Sequence, residues 1–434
     1  MRRLSQLSAV ALAAFAWTLA PLTAAPQEAP TTTIMRMALA GDPLSDDDVA
    51  GAFVLSDPGA RRELLAVLTD LPKERTQGVR EDDRVALMRL RAQVARAPRR
   101  FARGLTEIDG RHANAEHIIA AGLDIAGTLG DSDDVKAAIT LAGAWPKEGP
   151  ARIAARPEAL RTALSLLLAR HPEACGEVRQ AYRQTPDALA GALVDALGDQ
   201  ESEGSVRALA LCLAVRPELD AQVLNRLQGA ARNANVQLHT TELAPVRRFL
   251  DSARPFERSQ AALCLGQLDD IESVEALLPL LRDADPSVVD SAHWSLKALT
   301  AMSMGPDARR WNGWFNEQSV AWIERSQEFL GRLVSADRAE QIRGLNDISA
   351  LRLHRAEITP LLVQLLEAET NTDVLVHVCA AIESLRAKEA IPAVVEALAH
   401  KEPRVRDRAL RTLRVVTGRD LPLDEGVWRR KLGL

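Results

Sequence analysis

Residues 265–300 are LGQLDDIESVEALLPLLRDADPSVVDSAHWSLKALT, and residues 382–417 are IESLRAKEAIPAVVEALAHKEPRVRDRALRTLRVVT. The two stretches align without a gap at an offset of 117 residues, and apolar positions mostly meet apolar positions. Identical pairs run along their length: Leu268/Leu385, Pro286/Pro403, Val288/Val405, Asp290/Asp407, Ala292/Ala409, Leu296/Leu413 and Thr300/Thr417. Self-similarity at a fixed offset indicates an internal structural repeat, and this decides the architecture predicted for the chain.

Each copy has the pattern of two helices separated by a polar break. The first helix is a short apolar stretch such as 391–399, and the break carries Pro286 or Pro403. Proline is well tolerated in the first turn of a helix, because the N–H that it lacks would have no partner there. Apolar residues then recur at spacings of four and three: Val405, Ala409, Leu413 and Val416. This spacing predicts a stripe that packs on neighbouring helices.

Further copies lie before the first of these stretches and between the two. Residues 243–268 align with the first copy at a shift of 31, and 358–367 with 374–386 form another predicted helix pair. Upstream, segments such as AEHIIAAGLDIAGTLG and PDALAGALVDALGD alternate with short breaks rich in Pro, Gly and Asp. An Ala- and Leu-rich composition with only 3% aromatic residues also favours helices over sheets. The predicted fold is all-α, an α-solenoid (armadillo-like superhelix) of stacked helical hairpins.

These patterns divide the chain into four segments. Residues 1–24 are a predicted signal peptide, 25–44 a flexible lead-in, 45–240 a degenerate helical-hairpin region and 241–434 a regular repeat array. The clearest internal boundary is QGAARNANVQLHTTE, residues 228–242.

The repeat segments resemble HEAT repeats, in particular the shorter HEAT-like repeats associated with phycobilin lyases. The resemblance is carried by KEPRVRDRALRTL (401–413), DADPSVVDSAHWSL (283–296) and RPFERSQAALCLGQL (254–268), and it covers the array at the C-terminus. A unit near 31 residues is shorter than the usual HEAT period of about 40–47 residues. Membership of the lyase-associated group would imply chromophore attachment, or a partnership with an enzyme that performs it.

The N-terminus, MRRLSQLSAVALAAFAWTLAPLTAAPQEAP, has the three parts of an export signal. Arg2 and Arg3 form a basic region, residues 7–19 an apolar one, and small residues around Ala24 a cleavage site. The alternative is an uncleaved anchor, since residues 4–20 are nearly long enough to span a membrane. The expected location is the periplasm or the exterior of a bacterial cell, with no transmembrane segment after removal of the signal.

The stretch WNGWFNEQ, residues 311–318, is unusual in a chain with so few aromatic residues. Trp311 matches Trp428 at the same offset of 117, and an aspartate precedes each tryptophan by four residues. A packing residue would recur in register with a repeat, whereas a ligand platform need not. Trp311 and Trp428 are therefore predicted to close their repeats. An aromatic contact surface remains open for Trp314 and Trp322, which have no counterpart in the second copy.

No catalytic, cofactor or metal site is predicted. The G-x-S-x-G, P-loop, G-x-G-x-x-G and C-x-x-C motifs do not occur in the sequence. His112 and His117 are five residues apart, and on a helix they diverge by about 140°. Acidic runs such as 46–48 stand where helices begin and are expected to act as caps. The four cysteines show no spacing that selects a disulfide: Cys175, Cys212, Cys264 and Cys379.

Two basic segments remain. Residues 89–103 carry six arginines, and residues 401–434 carry ten Lys/Arg against five Asp/Glu, although the whole chain has a net charge of −5. Arg404, Arg408 and Arg411 fall on one side of the predicted second helix. Such a row is either a solvated face or a surface for an anionic partner. Neighbouring second helices offer Arg258 and Asp290 at comparable places, so positive potential is expected to concentrate at the C-terminal end.

The predicted function is an exported, non-enzymatic scaffold that binds a protein or another macromolecule in the cell envelope. Its partner could be anionic, and nucleic acid is not expected because the protein is predicted to be exported. The alternative is an enzyme, or an enzyme partner, of the lyase-associated HEAT-like group.

Overall fold

The computed structural model of the protein describes residues 29–72, 81–107, 115–143, 155–233 and 236–434 other than 237 and 433, and the regular elements in these residues are all helical. The chain divides into two compact units, Met1–Ala234 and Asn235–Leu434. This division falls within the stretch 228–242, where the sequence indicates a boundary. The predicted signal peptide, residues 1–24, lies outside the described residues.

The N-terminal unit is built from helices that contact their neighbours along the chain. Its described helices are α1 Pro30–Ala40, α2 Asp46–Leu55, α3 Pro58–Asp70, α4 Glu81–Ala95, α5 Ala97–Glu107, α6 Ala115–Leu129, α7 Asp134–Gly143, α8 Ala155–Arg170, α9 Cys175–Tyr182, α10 Asp187–Gly198, α11 Glu203–Cys212 and α12 Asp220–Asn233, with a 3-10 turn at Pro172–Ala174. Alternate helices pack on one another: α6 on α8, α8 on α10 and α10 on α12. This contact pattern is the one expected of stacked helical hairpins.

The lead-in predicted over residues 25–44 is wrong where the structure describes it, because residues 30–40 form helix α1. Pro30 begins this helix, and Gly41 ends it in the left-handed conformation at φ 81°. The N–H of Thr31 donates to Ser56 Oγ at 3.1 Å, and Ile34 is buried. A Thr-rich stretch has a weak intrinsic helix propensity, so tertiary packing on α2 decides its conformation.

The C-terminal unit contains the regular hairpins. Its helices are α13 Thr240–Arg248, α14 Pro255–Gln267, α15 Val274–Leu277, α16 Pro286–Thr300, α17 Ala308–Leu333, α18 Arg338–Ile348, α19 Arg355–Ala368, α20 Thr372–Leu385, α21 Ile391–Glu396, α22 Pro403–Thr417 and α23 Glu425–Leu432. Short 3-10 turns precede or extend the first helices: Phe249–Asp251, Ile271–Ser273, Pro279–Arg282, Arg352–His354, Lys388–Ala390 and Ala397–Ala399. The second helices pack in pairs, α16 on α14 and α22 on α20. The predicted all-α solenoid of stacked hairpins is confirmed.

The repeat seen in the sequence is also a repeat of hydrogen bonds. Ser295 Oγ on α16 donates to the carbonyl oxygen of Ala262 on α14 at 2.7 Å. Thr412 Oγ1 on α22 donates to the carbonyl oxygen of Cys379 on α20 at 3.0 Å. The two donors are 117 residues apart, and so are the two acceptors. A hydroxyl therefore bridges two second helices at the same point of each copy.

The second helices also end in the same way. Thr300 Oγ1 and Thr417 Oγ1 each donate to the carbonyl oxygen four residues earlier at 2.7 Å. The residue after each threonine then takes the left-handed conformation, at φ 56° for Ala301 and φ 68° for Gly418. Glycine adopts this conformation without a steric penalty, whereas the Cβ of alanine is strained there.

Trp311 and Trp428 occupy equivalent buried places after these turns. Each side chain is 0% exposed. The indole N–H of Trp311 donates to the carbonyl oxygen of Gly305 at 2.8 Å, and that of Trp428 donates to Pro422 at 2.9 Å. The acceptor lies six residues before the tryptophan in both copies. The geometry thus gives the two indoles one packing role in two repeats.

The other aromatic side chains of α17 lie on the same face as Trp311 and contact the protein. Trp314 packs edge-on against Trp311 with ring centroids 5.9 Å apart. Trp322 stacks on His354 at 4.6 Å with an interplanar angle of 8°. Phe329, near the end of the helix, is buried. The aromatic face of this helix therefore packs on the repeat stack.

We expect Trp311→Ala and Trp428→Ala each to lower the free energy of unfolding by about 3–5 kcal/mol, because each leaves a cavity and an unpaired carbonyl oxygen. Urea unfolding followed by circular dichroism measures this. Trp294→Ala is the matched control, since the Trp294 side chain is 45% exposed. An equal loss at all three positions would contradict a closing role for Trp311 and Trp428.

A second prediction concerns the two left-handed turns. Ala301→Gly is expected to raise the free energy of unfolding by about 1 kcal/mol, and Gly418→Ala to lower it by about 1 kcal/mol, because only glycine is unstrained at these φ values. Urea midpoints of the two single variants and of the double variant measure the difference. Shifts of the same sign at both sites would contradict the equivalence of the turns.

Candidate partner-binding surface

The candidate surface lies on α22, the second helix of the last full hairpin. Pro403 begins the helix and Gly418 ends it, as the proline and glycine of the sequence predict. One side of the helix is buried in the unit: Val405, Ala409, Thr412, Leu413, Val416 and Thr417. The opposite side carries the arginines. A fixed apolar face thus holds a row of cationic side chains toward solvent.

The structure brings the three predicted arginines together but does not place them alike. The side chains of Arg404 and Arg411 are both 68% exposed, whereas that of Arg408 is 20% exposed. Arg408 Nη2 lies 3.0 Å from an oxygen of Glu383, and Arg411 Nε lies 3.6 Å from the other oxygen of the same carboxylate. Arg404 pairs with Asp373 at 3.0 Å. The outward row therefore consists of Arg404 and Arg411, and Arg408 is fixed at its base.

We name Arg404, Arg408 and Arg411 the α22 arginine surface. A guanidinium group has five N–H donors, and a single carboxylate contact leaves several of them available. The acids that contact it are carried by the neighbouring helix α20, which positions both exposed side chains. Planar, outward guanidinium groups of this kind suit carboxylate or phosphate oxygens on a partner.

Cys379 lies beneath this surface and is fully buried. Burial raises the pKa of the Cys379 thiol to about 12, and the positive charge of Arg408 only partly opposes that shift. All four cysteines of the chain are buried free thiols. They behave as small apolar side chains, as their apolar sequence context predicts.

Other cations near the surface have structural partners. Arg406 Nη1 donates to the carbonyl oxygens of His400 and Lys401, each at 2.9 Å, and so holds the turn before α22. Arg258, which the sequence places at a comparable position on α14, is bidentate to Asp283 at 2.8 Å. Asp290 is exposed. In the register of the repeat Arg258 corresponds to Arg406, since each lies three residues after the proline that begins its helix, and Arg258 Nη1 likewise donates to the carbonyl oxygen six residues earlier, that of Ser252, at 2.7 Å. Both arginines hold the turn before their helix, and neither adds to the outward row.

Three of the six arginines in the basic segment 89–103, namely Arg96, Arg99 and Arg100, form ion pairs with acids of the same unit. Arg96 pairs with Asp46 at 2.9 Å, and Arg100 pairs with Asp46 at 3.4 Å and with Asp47. Asp48 forms a capping box with Ser45 at the start of α2, so the acidic run does cap a helix. These paired arginines join helices, and their charges are compensated within the unit.

A charged cleft in the C-terminal unit joins residues far apart in the chain. Arg355 Nη1 donates to Asp269 Oδ1 at 3.1 Å, and Lys388 lies 3.7 Å from the other oxygen. Beside them Arg247 Nε donates to Asp270 at 2.6 Å, and burial raises the pKa of Asp270 against the effect of that arginine. Each carboxylate is paired with a cation of the same chain. The arrangement is typical of an ion-pair network that fixes a turn.

The remaining predicted features fall outside any site. His112 lies outside the described residues, and His117 is exposed on α6. Glu116 forms an ion pair with Arg156. Within the described ranges, no group of three or more His, Cys, Asp or Glu side chains is placed to hold a metal ion. Among the described helices, none combines the length and the apolar character that a membrane span requires.

The sequence analysis did not single out Trp294, an exposed residue at a position equivalent to Arg411 of the α22 arginine surface. Trp294 on α16 corresponds to Arg411 on α22 at the offset of 117, and its side chain is 45% exposed. Equivalent outward positions thus carry an aromatic residue in one repeat and an arginine in the other. The aligned repeats contained this signal, because a tryptophan opposite an arginine cannot belong to the shared buried stripe.

The arginines are expected to differ sharply when their charges are reversed. Arg404→Glu with Arg411→Glu should leave the urea unfolding midpoint nearly unchanged, because both side chains are solvated. Arg408→Glu should lower the free energy of unfolding by about 3–5 kcal/mol, since it places a second carboxylate beside Glu383. Arg414→Glu is the matched exposed control. An equal change in the free energy of unfolding for Arg404→Glu and Arg408→Glu would contradict the distinction between the exposed arginines and the half-buried Arg408.

A family model described as HEAT repeats matches residues 359–421, which include α20 and α22. Among solved structures, an engineered protein is 13% identical with a TM-score of 0.27, and the match covers 89% of this chain and 98% of that chain. A structure of Kap121p is 13% identical with a TM-score of 0.30, and the match covers 94% of this chain and 51% of that chain.

The karyopherin Kap121p bound to the extreme C-terminus of the protein phosphatase Cdc14p is 12% identical with a TM-score of 0.31, covering 94% of this chain and 48% of that chain. The chain thus spans about half the length of the karyopherin structures that it matches. No curated protein sequence matches it. The family model thus finds HEAT repeats in residues 359–421, and the hydrogen bond that recurs at the offset of 117 gives α14 and α16, outside that stretch, the same helix contact as α20 and α22.

Proposed function

We propose that this protein is an exported scaffold that binds an acidic protein in the bacterial cell envelope and catalyses no reaction. One observation carries the binding part: two arginines, Arg404 and Arg411, are each 68% exposed on a helix whose other side is buried in the repeat stack. Their positions are fixed by α20, while their guanidinium groups keep donors for a partner. HEAT repeats are a scaffold type of fold, which supports an interaction role.

Export is supported by the sequence alone. The basic, apolar and small-residue parts of residues 1–24 are typical of a cleaved signal. Buried free thiols are compatible with an oxidising compartment, because a thiol with a raised pKa reacts slowly. The mature chain is then expected to begin near Ala25.

The test of binding is a pull-down from an envelope fraction with tagged full-length protein. A stoichiometric protein partner should be retained by the wild type at low salt and lost as salt is raised, because charge pairs with solvent-exposed arginines are screened. Arg404→Glu with Arg411→Glu should weaken retention, and Arg414→Glu with Arg430→Glu, at two other exposed arginines of the same unit, is the control of equal charge change. A partner that binds the double variant with unchanged affinity and salt dependence would overturn the role of this surface.

The same preparation tests the other two parts of the proposal. Mass spectrometry of the native protein should find a chain that begins near Ala25, and recovery of intact residues 1–24 would contradict cleavage. Recovery from the cytosol would contradict export. Copurification of a pigment, or turnover of a chromophore-bearing substrate, would instead support an enzyme or enzyme partner of the lyase-associated HEAT-like group.

A further inference from the structure

Helix α17 is the longest helix among the described residues and is buried only near its ends. It runs for 26 residues, which corresponds to about 39 Å. Its buried residues are Ala308, Trp311, Phe329 and Leu333. The helix therefore crosses the surface of the unit with its middle part accessible on the side opposite the tryptophans.

That outer side carries a regular uncharged stripe. Its members follow one another at spacings of four, three, four, three and four residues: Asn316, Val320, Ile323, Gln327, Leu330 and, directly after the last helical residue, Val334. This is the spacing of the positions that meet in a two-stranded coiled coil. We name these six residues the α17 outer stripe.

The apolar members of the stripe are accessible to an unusual degree. Val320 is 49% exposed, and Ile323 and Val334 are both 78% exposed. Leu330 is partly buried and packs on the core cluster of the unit. Single exposed apolar residues are common on protein surfaces. Three on one face at coiled-coil spacing, with no charge among them, are typical of a binding surface.

The two edges of the stripe differ in charge. Glu317 and Glu324 follow Asn316 and Ile323 directly, so they flank the stripe on one side. Both are exposed, and neither carboxylate forms an ion pair with a residue that the structure describes. On the other side Ser319 and Ser326 hold the equivalent positions. One edge is therefore acidic and the other neutral.

This asymmetry selects the kind of partner. A second copy of α17 would form no favourable ion pair along the edges of the stripe. An antiparallel pair brings the two acidic edges together, and a parallel pair sets glutamates against serines. A helix with lysine or arginine beside its own apolar stripe gains an ion pair at each glutamate. We infer that the α17 outer stripe binds an amphipathic helix of a partner protein whose apolar stripe has a basic edge.

This inference does not depend on export or on the α22 arginine surface. The acidic edge would repel the acidic protein proposed for that surface, so the two sites are expected to take different segments. Apolar burial supplies the binding free energy here, and the glutamates set the choice of partner.

The experiment uses full-length protein and a fluorescent synthetic peptide of about three heptads, with Ile and Leu in the stripe and Lys on both edges. Fluorescence anisotropy should show saturable binding that a peptide of the same composition in scrambled order lacks. Ile323→Glu should raise Kd by about tenfold or more, since it removes the most exposed apolar contact. Leu166→Glu, at a 48% exposed position of the N-terminal unit, is the matched control and should leave Kd unchanged.

A charge-swap variant separates specific docking from general stickiness. Glu317→Lys with Glu324→Lys should weaken binding of the Lys-edged peptide and strengthen binding of its Glu-edged counterpart. Arg404→Glu with Arg411→Glu should change neither, so failure at one surface is distinguishable from failure at the other. Circular dichroism confirms that each variant retains its helicity.

Three results of the peptide experiments would overturn the inference. They are absence of binding by the Lys-edged peptide, unchanged binding by Ile323→Glu, and equal binding of the two peptides by the charge-swap variant. Sedimentation equilibrium gives a fourth: a dimer of the wild type that Ile323→Glu dissociates would identify a second copy as the occupant.

Discussion

The contact on which the C-terminal unit depends is the packing of each second helix against the one before it. In both well-matched copies a hydroxyl crosses this contact to a main-chain carbonyl oxygen, from Ser295 and from Thr412. A Cβ at Gly266 would lie 2.7 Å from the Cβ of Ser295, so glycine is needed where α14 and α16 approach most closely. Side chains that face this contact are constrained, and side chains that point away are free to differ between repeats.

That freedom accounts for the chemistry on the surface. Equivalent outward positions hold Trp294 and Arg411, while the buried stripe and the turn that follows it are kept. A repeat array can therefore carry different recognition groups on one constant scaffold. The α22 arginine surface is where we propose that charge serves this purpose, and its exposed members form ion pairs with acids of the neighbouring helix.

The hairpin α17–α18 departs from the short first helices around it. Its first helix has 26 residues, whereas α21 has six, so it extends beyond the length that the stack can cover. The aromatic face packs inward, through Trp322 on His354 and the buried Trp311. The outer face is left with apolar residues at coiled-coil spacing, which is why it is the second place where a partner is proposed.

The sequence by itself determined the helical hairpins, their register and the buried tryptophans. These follow from local periodicity and from a repeat at a fixed offset of 117 residues. It also determined which arginines share a helix face. Only the tertiary structure decided that Arg408 is half-buried against Glu383, that residues 30–40 pack as a helix, and that Arg355 reaches Asp269 across 86 residues. These outcomes depend on distances between separate elements, and no local pattern encodes how deep a side chain lies once its helix has packed.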